Sequence, residues 1–412
     1  MPHQFSIVGG FSKASGYNKF MDPIEELLTR GVETIVPGKE ELAKLLKSGK
    51  ILNIYNGVDP TAVRIHLGHA VPLRKLQQLV EMGHRVTFLI GDFTAFIGDT
   101  SDKNTERPQL TEEQIENNWQ TYKKQAEKLL DFSKVRVARN SEWLDKLTMR
   151  DAIKFARHFS LNDFISRELI KKRLSEGGSI NLAEVLYPLA QGYDSYHLNT
   201  DLQIGGTEQI FNIQAGRTLI KDFDRRESFA MTNSILEGTD GRRMSKSWGN
   251  AIWIEDAPEE MYGKAMSLRD NLIVQYFTLA TNVSMEKVKE VGERLKKGEN
   301  PMILKKELAY QIVSELHSTI AADKAQEKFA KTFQEKNLAE ADLPQVPTPA
   351  SNVVDAENLV AEYGQVSHTE AKRLLEQGAV ECSGTVLHRG ENVKINTGDI
   401  LKIGKTKFLK FA

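Results

Sequence analysis

Tyr55-Asn-Gly-Val-Asp-Pro60-Thr-Ala-Val-Arg-Ile-His66-Leu-Gly68-His69 lies between an apolar run at 51–55 and a helical pattern from Pro72 to Met82. A second apolar run, Val86-Thr-Phe-Leu-Ile90, follows. Strand, helix of that length and strand make a βαβ unit, which predicts a parallel sheet and an α/β fold. The two imidazoles therefore fall at a strand-to-helix turn. Free backbone N–H groups and the positive end of the helix dipole favour phosphate there. Gly68 lets a ligand approach the backbone closely. His66 and His69 can donate hydrogen bonds to a reacting phosphate without carrying a full charge. Two other readings stay open for the pair. One is a metal pair, although no Cys, Asp or Glu at matching spacing completes a shell. The other is a satisfied structural histidine.

Working outward, residues 1–20 are rich in Gly, Ser and Lys and read as a disordered extension, with Met21 a possible alternative start. Leu27, Leu28 and Val32, then Leu42, Leu45 and Leu46, predict two amphipathic helices over 22–50. Residues 112–131 predict a long polar helix, 135–138 a strand and 151–174 further helix. The sheet-bearing domain is placed at 21–250. A helical domain is placed at 251–336, where Asn300-Pro301 opens a helix carrying Leu304, Leu308, Ile312 and Leu316 on one stripe. Pro344, Pro347 and Pro349 mark 337–350 as an extended linker. Residues 351–412 predict a small α+β module. There Ser367-His-Thr-Glu370 reads as a capping box, Gly378 as a helix terminator and Ser383-Gly384 as a hairpin turn, with strands at 379–382, 385–387 and 400–403.

The chain has 412 residues, with 55 Lys+Arg against 56 Asp+Glu. That length allows two or three domains with real cores, and 40% hydrophobic residues exclude global disorder. The single cysteine, Cys382, excludes an internal disulfide and a multi-thiolate zinc site, and points to a reducing, cytoplasmic home. No apolar run approaches the roughly 20 residues that span a bilayer, and Met1-Pro-His-Gln-Phe lacks the basic start of a secretory signal. A net charge of −1 gives no hint of nucleic acid, yet residues 372–412 hold eight basic and four acidic side chains, a local +4. Gly404-Lys405-Thr406 is not a P-loop, because five residues separate Gly398 from Gly404 where the motif has four.

A second cluster, Arg243-Met-Ser-Lys246-Ser247, sits among small and glycine residues. It suits a mobile loop closing over a polyphosphate, or alternatively a solvated basic turn. A third is Tyr187, Gln191 and Asp194, which at i, i+4 and i+7 share one helix face. Pro188 must then lie in the first turn or kink the helix. That stripe reads as a pocket wall or as a solvated face.

His66-Leu-Gly-His69 followed by Arg243-Met-Ser-Lys-Ser247 resembles the class I aminoacyl-tRNA synthetases. Tyr187-Pro-Leu-Ala-Gln191-Gly-Tyr-Asp194, Gln203-Ile-Gly-Gly206-Thr-Glu-Gln209 and Gly91-Asp-Phe-Thr94-Ala-Phe-Ile-Gly-Asp99 narrow the resemblance to the bacterial tyrosyl-tRNA synthetases, over about residues 50–412. It implies a Rossmann-like catalytic domain, a helical domain and a C-terminal S4-like RNA-binding domain. It also implies ATP with Mg²⁺ as substrate, no tightly bound cofactor, tRNA(Tyr) as partner, no membrane, and a homodimer with its interface near 150–185. Tyr55 and Asp194 would meet the phenol of tyrosine. Tyr187, Gln191 and Asp99 would hold its ammonium group, with Gln209 and Thr94 nearby. Asp59, Gly68, His69, Gly206, Glu208 and Met244 would contact the nucleotide. Thr61 and His66 would meet the γ-phosphate, and Lys103, Arg107, Arg243 and Lys246 the pyrophosphate. Arg243 stands where the family carries lysine, and Glu208 where it commonly carries aspartate. A nucleotidylyltransferase, a non-catalytic RNA-binding protein and a tryptophan-specific synthetase are the competing readings.

Overall fold

The computed structural model describes residues 21–61, 64–99, 110–245, 248–331, 343–349, 351, 353–404 and 407–412. Lys103, Arg107 and Lys246, the extension at 1–20 and residues 337–342 and 350 of the expected linker lie outside them.

The chain divides into two compact units. The first runs to Glu255 and takes back Arg269–Pro301; the second holds Asp256–Leu268 and Met302–Ala412. The first is built on a six-stranded sheet in the order β1-β6-β5-β2-β3-β4. Its strands are β1 (Val32–Val36), β2 (Asn53–Val58), β3 (Arg85–Ile90), β4 (Arg136–Arg139), β5 (Leu202–Gly206) and β6 (Phe229–Asn233). All neighbours are parallel except β1, which runs antiparallel to β6. Strand order reverses at β2, with β3 and β4 on one side and β5 and β6 on the other. A crevice outside the carboxyl ends of β2 and β5 is where such sheets bind ligands.

The expected βαβ unit is present as β2, the helix Leu67–Glu81 and β3. The second helix expected over 22–50 is Lys39–Lys47, but Val32 belongs to β1 and not to the first helix. A β-branched run between Gly31, at φ +60°, and Pro37 favours strand over helix there. The helix expected at 151–174 is three short ones, Met149–Ala156, Leu161–Ile165 and Glu168–Ser175. β5 and β6 carry no alternation, because strands inside a parallel sheet are buried on both faces.

Segment 269–301, expected among the later helices, is tied into the sheet unit by Arg30. Its guanidinium donates to the carbonyls of Phe277, Thr278, Thr281 and Val283 and pairs with buried Glu26. Arg74 and Lys75 on Leu67–Glu81 donate to the carbonyls of Ala280 and Leu27 respectively. The helix that starts at His66 is thereby anchored from two directions.

In the second unit the helix Pro301–Leu316 buries Leu304, Leu308, Ile312 and Leu316, the stripe read from the sequence. The C-terminal part carries its own core, including Leu359, Val360, Leu375, Leu401 and Phe411. Gln345–Val346 pairs in parallel with Lys407–Phe411, so part of the proline-rich stretch is a strand of this sheet. Ser367 caps His368–Glu376 by accepting from the Glu370 N–H, while the Glu370 carboxylate turns to Arg373. The Ser383-Gly384 turn has φ +45° and +87°, as a tight hairpin needs. Among the described residues no helix is long and apolar enough to cross a membrane.

Candidate active site

His66 is the N-cap of Leu67–Glu81 and pairs as an isolated bridge with Trp253. The His66 and His69 rings stack with centroids 3.7 Å apart and planes 15° from parallel. Burial, then the neighbouring His69 and the charge of Arg243, push the His66 pKa down to about 2. The ring is therefore neutral at every physiological pH. Its buried Nδ1 has no partner among the described residues, leaving a polar atom for a ligand to meet. A Cβ on Gly68 would lie 3.0 Å from the His66 ring, so the motif's glycine makes room for that imidazole. The approach loop is held from behind, where Asn118 donates to the Pro60 carbonyl and Ile65 N–H to Gln125 Oε1.

Tyr187, Gln191 and Asp194 lie on one helix, Leu182–His197. Pro188 sits inside it, not in the first turn, and the Glu184 carbonyl it deprives of a donor faces Arg167 Nη2 at 3.5 Å. This helix packs closely on Ile210–Asp224. A Cβ on Gly216 would fall 2.3 Å from Ser195 Oγ, and one on Gly192 3.1 Å from the Ala215 carbonyl carbon.

A hydrogen-bonded chain links these elements. The Tyr187 hydroxyl donates to Asp59 Oδ2 at 2.9 Å, and Thr94 Oγ1 to Asp59 Oδ1 at 2.7 Å. Asn140 Nδ2 donates to both Thr94 Oγ1 and Asp194 Oδ2, and Trp143 Nε1 to Asp194 Oδ1 at 2.7 Å. Gly91 is needed beneath this chain, since a Cβ there would lie 2.0 Å from Asp59 Oδ1. Gln209 Nε2 donates to Asp99 Oδ2 at 2.6 Å. Tyr55 does not reach Asp194. Its hydroxyl meets Ser195 Oγ at 2.8 Å, and Ser195 donates to Gln203 Oε1. Gln191 enters the network by its carbonyl, 3.5 Å from the Tyr55 hydroxyl.

Asp194 is 2% exposed, and burial pushes its pKa up to about 8 against the hydrogen bonds from Trp143 and Asn140. The native state thus keeps a proton up to about pH 8 that the unfolded chain gives up near 3.8. This contribution to stability is present at low pH and lost as pH rises through about 8. In Asp194→Asn the dependence is absent. The stability gap between the two proteins, measured by urea unfolding without tyrosine, is expected to move against the wild type by on the order of 1 kcal/mol per pH unit between pH 5 and 8.

Gly206 closes β5, and a Cβ there would lie 2.4 Å from the Glu208 carboxylate, which folds back over it. Arg243 and Met244 follow a turn in which Arg242 stacks over the exposed Trp248 ring at 4.7 Å. Thr61 turns directly after Asp59, its N–H donating to the Asp59 carbonyl.

The family model for class I tRNA synthetases of the tryptophan and tyrosine type matches residues 47–334. The tyrosine–tRNA ligase of Thermotoga maritima is 41% identical over 402 residues, covering 95% of this chain and 98% of that protein. The one from Carboxydothermus hydrogenoformans is 43% identical over 397 residues, with 93% and 96% covered. The chain belongs to the class I tyrosine–tRNA ligases. A crystal structure of tyrosyl-tRNA synthetase complexed with L-tyrosine, from Archaeoglobus fulgidus, is 26% identical with a TM-score of 0.58, over 74% of this chain and all of that one.

In this tyrosine–tRNA ligase Asn140, Trp143, Ser195 and Gln203 belong to the hydrogen-bonded clusters around Asp194 and Tyr55, and the sequence reading gave none of them a role. Ser195 directly follows one quoted motif and Gln203 opens another, and the two meet across the helix-to-strand packing. Asn140 and Trp143 lie 51 to 54 residues away from Asp194 in sequence and carry no local mark.

Proposed function

We propose that this ligase activates L-tyrosine on ATP and passes the tyrosyl group to tRNA(Tyr), with the roles divided as follows. The phenolic O–H donates to Asp194. Each carboxylate oxygen already takes one donor and can accept another, and a third donor favours the ionised form. The Tyr55 hydroxyl stands beside that position, oriented by Ser195. Tyr187 spends its proton on Asp59, so its oxygen accepts from the substrate ammonium, assisted by Asp99 and Gln191 with Thr94 and Gln209 alongside. The substrate carboxylate, ionised at neutral pH, attacks the α-phosphate and pyrophosphate departs. No general base is needed. Catalysis comes from positioning and from stabilising charge on the leaving group.

His66, with Thr61, meets the γ-phosphate as a neutral hydrogen-bonding partner. His69, Asp59, Gly68, Gly206, Glu208 and Met244 line the nucleotide, and Lys103, Arg107, Arg243 and Lys246 close on the pyrophosphate. Among the described residues no group of three or more His, Cys, Asp or Glu gathers to hold an ion. Mg²⁺ would travel on the ATP phosphates, as it commonly does.

In the second step the 3′-terminal ribose of the tRNA takes the tyrosyl group and AMP leaves. The +4 tract at 372–412 supports an S4-like RNA-binding role for the C-terminal module. Met149, Ile153, Leu161, Leu174, Leu182 and Leu186 are each exposed apolar side chains of the kind that a second copy of the chain would cover, which supports a homodimer. Working in the cytoplasm is in keeping with the single thiol.

The observation that carries this reading is the buried Asp194 carboxyl, oriented by hydrogen bonds from Trp143 and Asn140. Tyrosine-dependent exchange of pyrophosphate into ATP tests it.

A further inference from the structure

Asn250 is 2% exposed, and its side chain joins three points of the loop that precedes it. Its Nδ2 donates to Asp240 Oδ1 at 2.8 Å and to the Arg243 carbonyl at 3.1 Å, while its Oδ1 accepts from the Ser245 N–H at 2.8 Å. Its own carbonyl accepts from the Thr239 N–H. A Cβ on Gly238 would lie 2.3 Å from the Asn250 amide, so only glycine leaves room for this side chain. Asp240 is gripped from the other side by the Arg242 N–H and Nε. Burial alone would raise the Asp240 pKa, but hydrogen bonds from Asn250 and Arg242 outweigh it and bring it down to about 2. The Asn250 amide is therefore a donor to a fixed negative charge, the stronger kind of hydrogen bond.

From sequence the segment reads as a mobile basic loop or as a solvated basic turn. At the backbone of Arg243 and Ser245 it is pinned. The same turn puts the Arg243 charge close enough to be felt at buried His66.

We propose that Asn250 is the positioning residue of this loop, fixing the Arg243 backbone so that its guanidinium addresses the phosphate site, and that Asp240 holds Asn250 in that orientation. This rests on Arg243 acting on the departing pyrophosphate. Asn250 touches neither substrate. Its loss acts on the rate of adenylate formation and leaves the tyrosine pocket alone.

The test is single-turnover formation of tyrosyl-adenylate, with tyrosine affinity measured separately by equilibrium binding. Asn250→Ala is expected to slow adenylate formation at saturating ATP by roughly ten- to a hundredfold. Tyrosine affinity should stay within about twofold, which also reports that the fold is intact. Asn250→Asp places a second carboxylate against Asp240 and should be slower still. The exchanged pair Asp240→Asn with Asn250→Asp removes that repulsion and should be faster than Asn250→Asp alone. An Asn250→Ala protein with an unaltered rate, a parallel loss of tyrosine affinity, or an exchanged pair no faster than Asn250→Asp would overturn the proposal. Arg243→Ala separates the two levels. If it slows the step while Asn250→Ala does not, only the positioning role fails; if Arg243→Ala is silent, the reading of Arg243 fails and the positioning role with it.

Discussion

An Asp194→Asn protein is expected to lose roughly a hundredfold in kcat/KM for tyrosine in pyrophosphate exchange, and almost nothing for phenylalanine. In the native pocket Trp143 Nε1 and Asn140 Nδ2 each donate to one Asp194 oxygen. An amide has only one oxygen, so its NH₂ must face one of these donors. The pocket then holds an unpaired buried N–H, and the phenol of tyrosine meets a weaker acceptor or none. Phenylalanine makes no such bond and has none to lose. A site built to pair a hydroxyl rejects the analogue lacking it, and the tyrosyl-tRNA synthetases themselves are the known instance, at about 10⁵, a family figure and no deduction from this chain. Measuring both amino acids on both proteins checks the claim. Equal losses for the two would mean that Asp194 supports the fold and does not read the phenol.

Removing residues 343–412 is expected to leave tyrosine-dependent exchange within about threefold while lowering kcat/KM for tRNA on the order of a hundredfold. The cut falls before Gln345–Val346 because that strand pairs with Lys407–Phe411 and would otherwise be left unpaired. The removed module has its own buried core, and none of the residues proposed for the site lies within it. Its basic side chains are the natural contacts for phosphate, so tRNA affinity of the intact chain should also fall steeply with salt, and less steeply after truncation. Charging at the intact rate by the truncated protein would assign tRNA recognition elsewhere.

The parts of the site that could be read from sequence are those where chemistry and spacing are local. His66 and His69 sit three residues apart beside a βαβ pattern, and that pattern alone indicates both the α/β fold and a strand-to-helix turn carrying two imidazoles. Tyr187, Gln191 and Asp194 were legible as one helix face despite Pro188, because a proline's missing donor can be absorbed when the stranded carbonyl finds another neighbour. What spacing cannot report is contact across the fold. Sequence spacing gives no sign that Tyr55 bonds to Ser195, or that Trp143 and Asn140 both donate to Asp194. β5 and β6 escaped for a related reason. Five-residue strands buried on both faces show no alternation, and only their neighbours in the sheet distinguish them from short apolar stretches of helix. β1 was absorbed into a helical pattern although Gly31 and Pro37 bracket it.

The most direct test of the central claim is exchange of labelled pyrophosphate into ATP by the unaltered full-length chain, run separately with each of the twenty amino acids. Tyrosine alone is expected to support rapid exchange, with tryptophan and phenylalanine near background. Exchange supported best by tryptophan, exchange without any amino acid, or none with tyrosine would contradict the account.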